Sequence, residues 1–109
     1  MPSNQYTIKQ GATYPSILTT CGSNKSGGLN GASVNFRMMD TNKAPVLDIA
    51  ATIVDPDQEI VSYTFDPSQT ATPGTFFAEF IITFSDNSIF IAPDSGWIVI
   101  HITEAVATA

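Results

Sequence analysis

No stretch of twelve residues in this chain keeps its apolar side chains at helical spacing, whereas alternation of period two recurs from end to end. Val34, Phe36 and Met38 fall on one face and Ser33, Asn35 and Arg37 on the other. Leu47, Ile49, Ala51 and Ile53 continue an inward set, with Asp48, Ala50 and Thr52 outward, and Val61, Tyr63 and Phe65 alternate against Ser62 and Thr64. Ile98, Ile100 and Ile102 do the same against Trp97, Val99 and His101. Shorter candidates lie at 5–9, 14–20 and 89–91. Between them stand clusters of turn formers: CGSNKSGGLNG at 21–31, TNKAP at 41–45, Asp55-Pro56-Asp57, Asp66-Pro67-Ser68 and Ser85-Asp86-Asn87-Ser88. Seven or eight short strands joined by short turns predict an all-β antiparallel sandwich or barrel. With 109 residues the chain forms one domain with a core of its own. Residues 5–104 make up that core unit, and 105–109 read as a loose tail.

The composition agrees with strands. Thirteen threonines and ten serines supply much of the polarity, and charged residues are 13% of the chain, about half the usual share. Hydroxyl, β-branched and aromatic side chains suit a pleated surface. The net charge of −6 is unevenly spread: Lys9, Lys25, Arg37 and Lys43 all precede residue 44 with only Asp40 against them, and the remaining 66 residues hold nine acids and no base. Without a cluster of cations, nucleic acid is not an expected partner. The asymmetry has two readings, copies meeting head to tail or plain solubility because strands from both halves mix in space. No apolar run approaches the length of a signal peptide core or a membrane span, so the chain is expected to be made and kept in a cytoplasm, or assembled there into something larger, with no membrane partner.

Little in the sequence points to catalysis or a cofactor. Cys21 is the single cysteine, at a strand end, and reads as a bystander. His101 is the single histidine, in mid-strand, without a visible nucleophile or orienting acid. Asp55, Asp57 and Glu59 alternate, but a calcium loop needs more ligands, and Asp-Pro-Asp forms turns by itself. The glycines at 27, 28 and 31 are not followed by the lysine and helix start of a phosphate loop.

The stretch PGTFFAEF at 73–80 breaks the alternation by half. Phe76, Ala78, Phe80, Ile82 and Phe84 share one face, yet the other carries Phe77 and Ile81 beside Glu79 and Thr83. The outward parity of the last strand likewise holds Trp97 and Val99. Phe77, Ile81, Trp97 and Val99 are thus a candidate assembly surface, since contiguous exposed apolar groups mark partner contacts. The competing reading is that Tyr6, Ile8 or Tyr14 from the N-terminal segment folds over them.

Several short motifs occur in a particular order: Gly11-Ala12-Thr13-Tyr14-Pro15 before a strand, Leu29-Asn30-Gly31-Ala32-Ser33-Val34-Asn35-Phe36-Arg37-Met38 after a glycine-rich loop, and Val61-Ser62-Tyr63-Thr64-Phe65. Thr72-Pro73-Gly74-Thr75-Phe76-Phe77-Ala78-Glu79-Phe80, a Ser85-Asp86-Asn87 turn and Ala92-Pro93 before the last strand complete the series. From about residue 6 to 104 this order resembles the immunoglobulin-like virion domains of tailed bacteriophages, as in the N-terminal domain of baseplate upper proteins. Phe76 stands where that family usually has tyrosine in PGxYxAEF. The resemblance implies a non-enzymatic immunoglobulin-like sandwich without cofactor, present in multiple copies in a virion. Such a domain is tail, baseplate or head-associated, and its partners are other virion proteins and copies of itself. The alternative is a stand-alone recognition module binding a glycan or a host cell-surface protein, with Trp97 and Tyr14 as its exposed aromatics.

Overall fold

The computed structural model describes residues 4–93 and 96–106; the end of the expected tail, residues 107–109, lies outside them. Among the described residues nine strands form two sheets: β1 (Asn4–Lys9), β2 (Ile17–Thr20), β3 (Ser33–Asp40), β4 (Pro45–Ala50), β5 (Thr52–Asp55), β6 (Ile60–Tyr63), β7 (Gly74–Thr83), β8 (Ile89–Ala92) and β9 (Ile98–Thr103). The larger sheet runs β1-β9-β7-β3-β4 with β8 also beside β7, and the smaller runs β2-β6-β5. This is the immunoglobulin-like β-sandwich expected, with two refinements. The alternating stretch 47–53 is two strands and not one, because the chain leaves the larger sheet after Ala50 and joins the smaller at Thr52. Ala51 marks the crossing, its N–H donating to the Val34 carbonyl at 2.9 Å. The second refinement is that β1 pairs with β9 in parallel, Tyr6 opposite Ile100 and Ile8 opposite Ile102. Parallel neighbours need a long connection, and here nearly the whole domain lies between them.

The predicted inward rows meet between the sheets. Val34, Phe36 and Met38, Ala78, Phe80 and Ile82, and Ile98, Ile100 and Ile102 come from the larger sheet, with Val61, Tyr63 and Phe65 opposing them. Phe36 is the hub: its ring stacks on Tyr63 at 4.5 Å, meets Phe65 edge-on at 5.8 Å and lies 5.2 Å from Phe80. These rings join the two sheets directly, and burying each stabilises the fold by roughly 1.5–3 kcal/mol. Strand β4 departs from expectation. Leu47 is only half-buried and Ile49 is 39% exposed, because an outermost strand has a neighbour on one side only.

Polar ties close both ends. Thr70, at the end of a short 3-10 turn (Pro67–Thr70), is fully buried and donates through Oγ1 to the Ala12 carbonyl at 2.9 Å. Tyr63 donates its hydroxyl to Gln69 Oε1 at 2.6 Å, so a core ring and the turn are held together. At the opposite end, Leu29 of the glycine-rich loop plugs the sandwich with 1% exposure, its N–H bonded to the Pro56 carbonyl.

Candidate functional site

The outer face of the larger sheet carries the apolar groups singled out in the sequence. Gln5 of β1, Val99 of β9, Phe77 of β7 and Met39 of β3 lie in one row across four strands. Strand β7 sits at the centre of this sheet, flanked by β3 along one side and by β9 and β8 along the other. A central strand surrounded by apolar neighbours half-buries its outward side chains, which is why Phe77 can stand next to Glu79. Trp97, just before β9, leans on Phe77 with ring centroids 5.0 Å apart and remains 37% exposed. Lys43 Nζ lies 5.7 Å from the Trp97 ring centroid, a distance suited to cation–π attraction. These side chains border a slot of about 170 Å³ whose walls include Arg37, Glu79 and Pro45.

Of the four predicted surface residues, Phe77 and Val99 are half-buried, Trp97 is open and Ile81 is not accessible, at 8% exposure. Ile81 lies between Asn35 of β3 and Ile91 of β8. It faces outward but is almost wholly covered, so it offers no accessible area beside Phe77 and Trp97. Met39 and Lys43 line the slot with those two side chains instead. Met39 continues the outward parity of Ser33, Asn35 and Arg37 by one step, a signal already in the sequence. Lys43 is brought in by the β3–β4 turn, which alternation does not foresee.

Tyr6, Ile8 and Tyr14 do not cover this face. Tyr6 and Ile8 have the parity of Ile100 and Ile102 and pack towards the core. Tyr14 is 80% exposed, and the Tyr6 hydroxyl donates to the Pro15 carbonyl. The charge asymmetry also resolves within the domain. Lys25 bonds Asp86 at 2.7 Å and Arg37 approaches Asp48 at 3.3 Å, so cations of the first part meet acids of the second. Asp86 is held below the ordinary carboxylate range first by its hydrogen bond from Lys25, then by Ser88.

The remaining candidates for chemistry are occupied structurally. Nδ1 of His101 is 3.4 Å from Thr75 Oγ1, and among the described residues no carboxylate bonds the ring. Asp55 Oδ1 accepts the N–H groups of Asp57 and Gln58, Asp57 Oδ1 accepts Asn30 Nδ2, and Glu59 Oε1 accepts the Ser23 N–H. The alternating acids therefore shape a turn and two loop contacts. Among the described residues no three His, Cys, Asp or Glu side chains converge as a metal site would need. Burial, then the neighbouring Glu59 charge, push the Cys21 thiol up to about 11. The stability that goes with a neutral thiol is intact below its ordinary value near 9 and is lost as pH rises towards 11. At pH 8 alkylation of Cys21 by iodoacetamide in the folded protein should run on the order of a hundredfold slower than that of a free thiol. A rate equal to the free thiol's would show that burial does not suppress the Cys21 thiolate, and only a faster rate would mark an activated nucleophile.

No family model and no curated protein matches this chain. Among solved structures it is similar to CopC from Methylosinus trichosporium OB3b, with a TM-score of 0.54 and 13% sequence identity. The likeness spans 98% of this chain and 89% of that one. What is shared at that identity is the fold, and the chain is an immunoglobulin-like β-sandwich over essentially its whole length.

Proposed function

We propose that this protein is a non-enzymatic structural module of a bacteriophage virion that acts by associating with other virion proteins in multiple copies. The observation that carries the reading is the Phe77–Trp97 pair on the outer face of the larger sheet, Phe77 half-buried and Trp97 exposed, with Val99 and Met39 beside it. A chain rich in hydroxyl side chains that spends aromatic groups on a sheet's outer face has a partner for that face. Aromatic side chains in such a position are the usual anchors of a protein interface. The ordered motifs shared with tailed-phage virion domains favour a particle as the setting. The Trp97→Ala variant should fold normally, because the indole lies outside the core, and should fail to co-purify with particles. The wild-type protein's absence from purified particles would overturn the reading.

A second reading draws on the polar rim of the same slot. Trp97 is an open aromatic platform with Lys43, Arg37 and Glu79 around it, a grouping suited to stacking a sugar ring and bonding its hydroxyls. Glycan-array binding lost in Trp97→Ala would favour it, and a blank array with unchanged adsorption of that variant would remove it.

A further inference from the structure

A sandwich has unpaired strand edges, and such edges invite other strands unless they are guarded. Among the described residues five strands have such an edge, and four of them carry a guard. β8, only four residues long, runs directly into Pro93. β5 is kinked by a register shift between Ile53 and Asp55. β4 begins at a proline, carries Asp48, and pairs with β3 through a shift at Met38/Met39. β1 ends in Lys9. β2, Ile-Leu-Thr-Thr, has no proline, no charge and no register shift.

The free edge of β2 can be assigned atom by atom. The Cys21 N–H donates to the Glu59 carbonyl at 2.8 Å, in the ladder that pairs Ile17 with Tyr63 and Thr19 with Val61. In an antiparallel ladder hydrogen-bonded positions alternate. Ile17, Thr19 and Cys21 therefore turn their backbone groups to β6, and Leu18 and Thr20 turn theirs away. The edge faces a groove of about 460 Å³ lined by every residue from 16 to 21 and, across it, by Gln5, Tyr6, Pro93 and Ile98. Among the described residues no lining side chain is charged, so the groove offers neutral hydrogen-bonding groups, the main chain of β2 among them. Leu18, 64% exposed, stands on its rim.

We propose that β2 is a docking edge for the β2 of a second copy, the strands running antiparallel about a two-fold axis through Thr19. Leu18 of each copy then exchanges N–H and C=O bonds with Thr20 of the other, and the two three-stranded sheets become one continuous sheet. Self-complementarity of this kind is what a two-fold interface requires. In a protein of net charge −6, a neutral edge is also where two copies approach with least repulsion. The inference rests on the multi-copy reading above but names a different surface from the Phe77–Trp97 face.

Analytical ultracentrifugation and amide exchange of the intact protein over a range of concentrations test it. The expected result is a monomer–dimer equilibrium in which the Leu18 and Thr20 amides become protected as concentration rises. Leu18→Lys, at an exposed position outside the core, should leave the fold intact and abolish the dimer, while Trp97→Ala should leave the dimer unchanged. A protein that stays monomeric at millimolar concentration, with both amides exchanging at a concentration-independent rate, overturns the proposal. So does an association that survives Leu18→Lys and is lost in Trp97→Ala, although that outcome leaves the particle reading standing. Conversely, a β2-dependent dimer of a protein absent from particles upholds this proposal and removes the virion setting.

Discussion

Replacing Phe36 by alanine should destabilise the protein by about 3–5 kcal/mol, the range for removing a fully buried aromatic ring. Phe36 has no exposed surface and contacts Tyr63, Phe65 and Phe80 at once. The cavity would open between the two sheets, where the opposing strands belong to different hydrogen-bonded ladders and collapse is hindered by both. Against a total stability of roughly 5–15 kcal/mol for a domain, the variant should retain a small remainder or unfold outright. Chemical denaturation followed by tryptophan fluorescence or circular dichroism measures the loss. Ile49→Ala, on the exposed edge strand, is the matched control and should cost less than about 1 kcal/mol. Equal losses in the two variants would mean that the intersheet aromatic cluster is not the stabilising centre of the fold.

Gly28→Ala should cost roughly 2–4 kcal/mol, more than a surface loop substitution ordinarily does. Two effects add. Gly28 has φ of +61°, a conformation that strains any residue with a Cβ, and the added carbon would stand 2.4 Å from the Pro56 carbonyl oxygen. That oxygen already accepts the N–H of Leu29, the buried plug of this end of the sandwich, so pushing it aside breaks a hydrogen bond and unseats the plug. Gly27→Ala separates the two effects. Its φ is +84° but nothing lies within 4 Å of the new Cβ, leaving the conformational strain of about 1–2 kcal/mol by itself. Thermal unfolding of the pair measures the difference, and identical melting temperatures would show that the loop moves to accommodate the Gly28 substitution.

The rows of the core were legible in the sequence because a strand's two faces alternate strictly, and a row buried on one face reads at every second position. Val34-Phe36-Met38, Phe76 to Phe84 and Ile98-Ile100-Ile102 all lie on the side that this rule assigns. The rule fails where neighbours matter more than parity. Ile81 is outward by parity yet buried, because β8 runs beside β7 at that height. Ile49 is inward by parity yet partly exposed, because nothing flanks β4 on its far side. The slot beside Trp97 was half legible: alternation puts Phe77, Glu79, Arg37 and Met39 on outward faces, whereas Lys43 arrives through the trajectory of a turn.

Alternation and turn chemistry, which depend only on residues near one another in the chain, determined an all-β sandwich and the inward rows of most of its strands. Where β1 pairs, where the chain crosses from one sheet to the other at Ala51, and which edges stay open are settled by contacts between residues distant in sequence. Those contacts form only when a whole sheet closes over the Phe36 cluster, so the aromatic pair on one face and the unguarded β2 edge are products of the assembled tertiary structure.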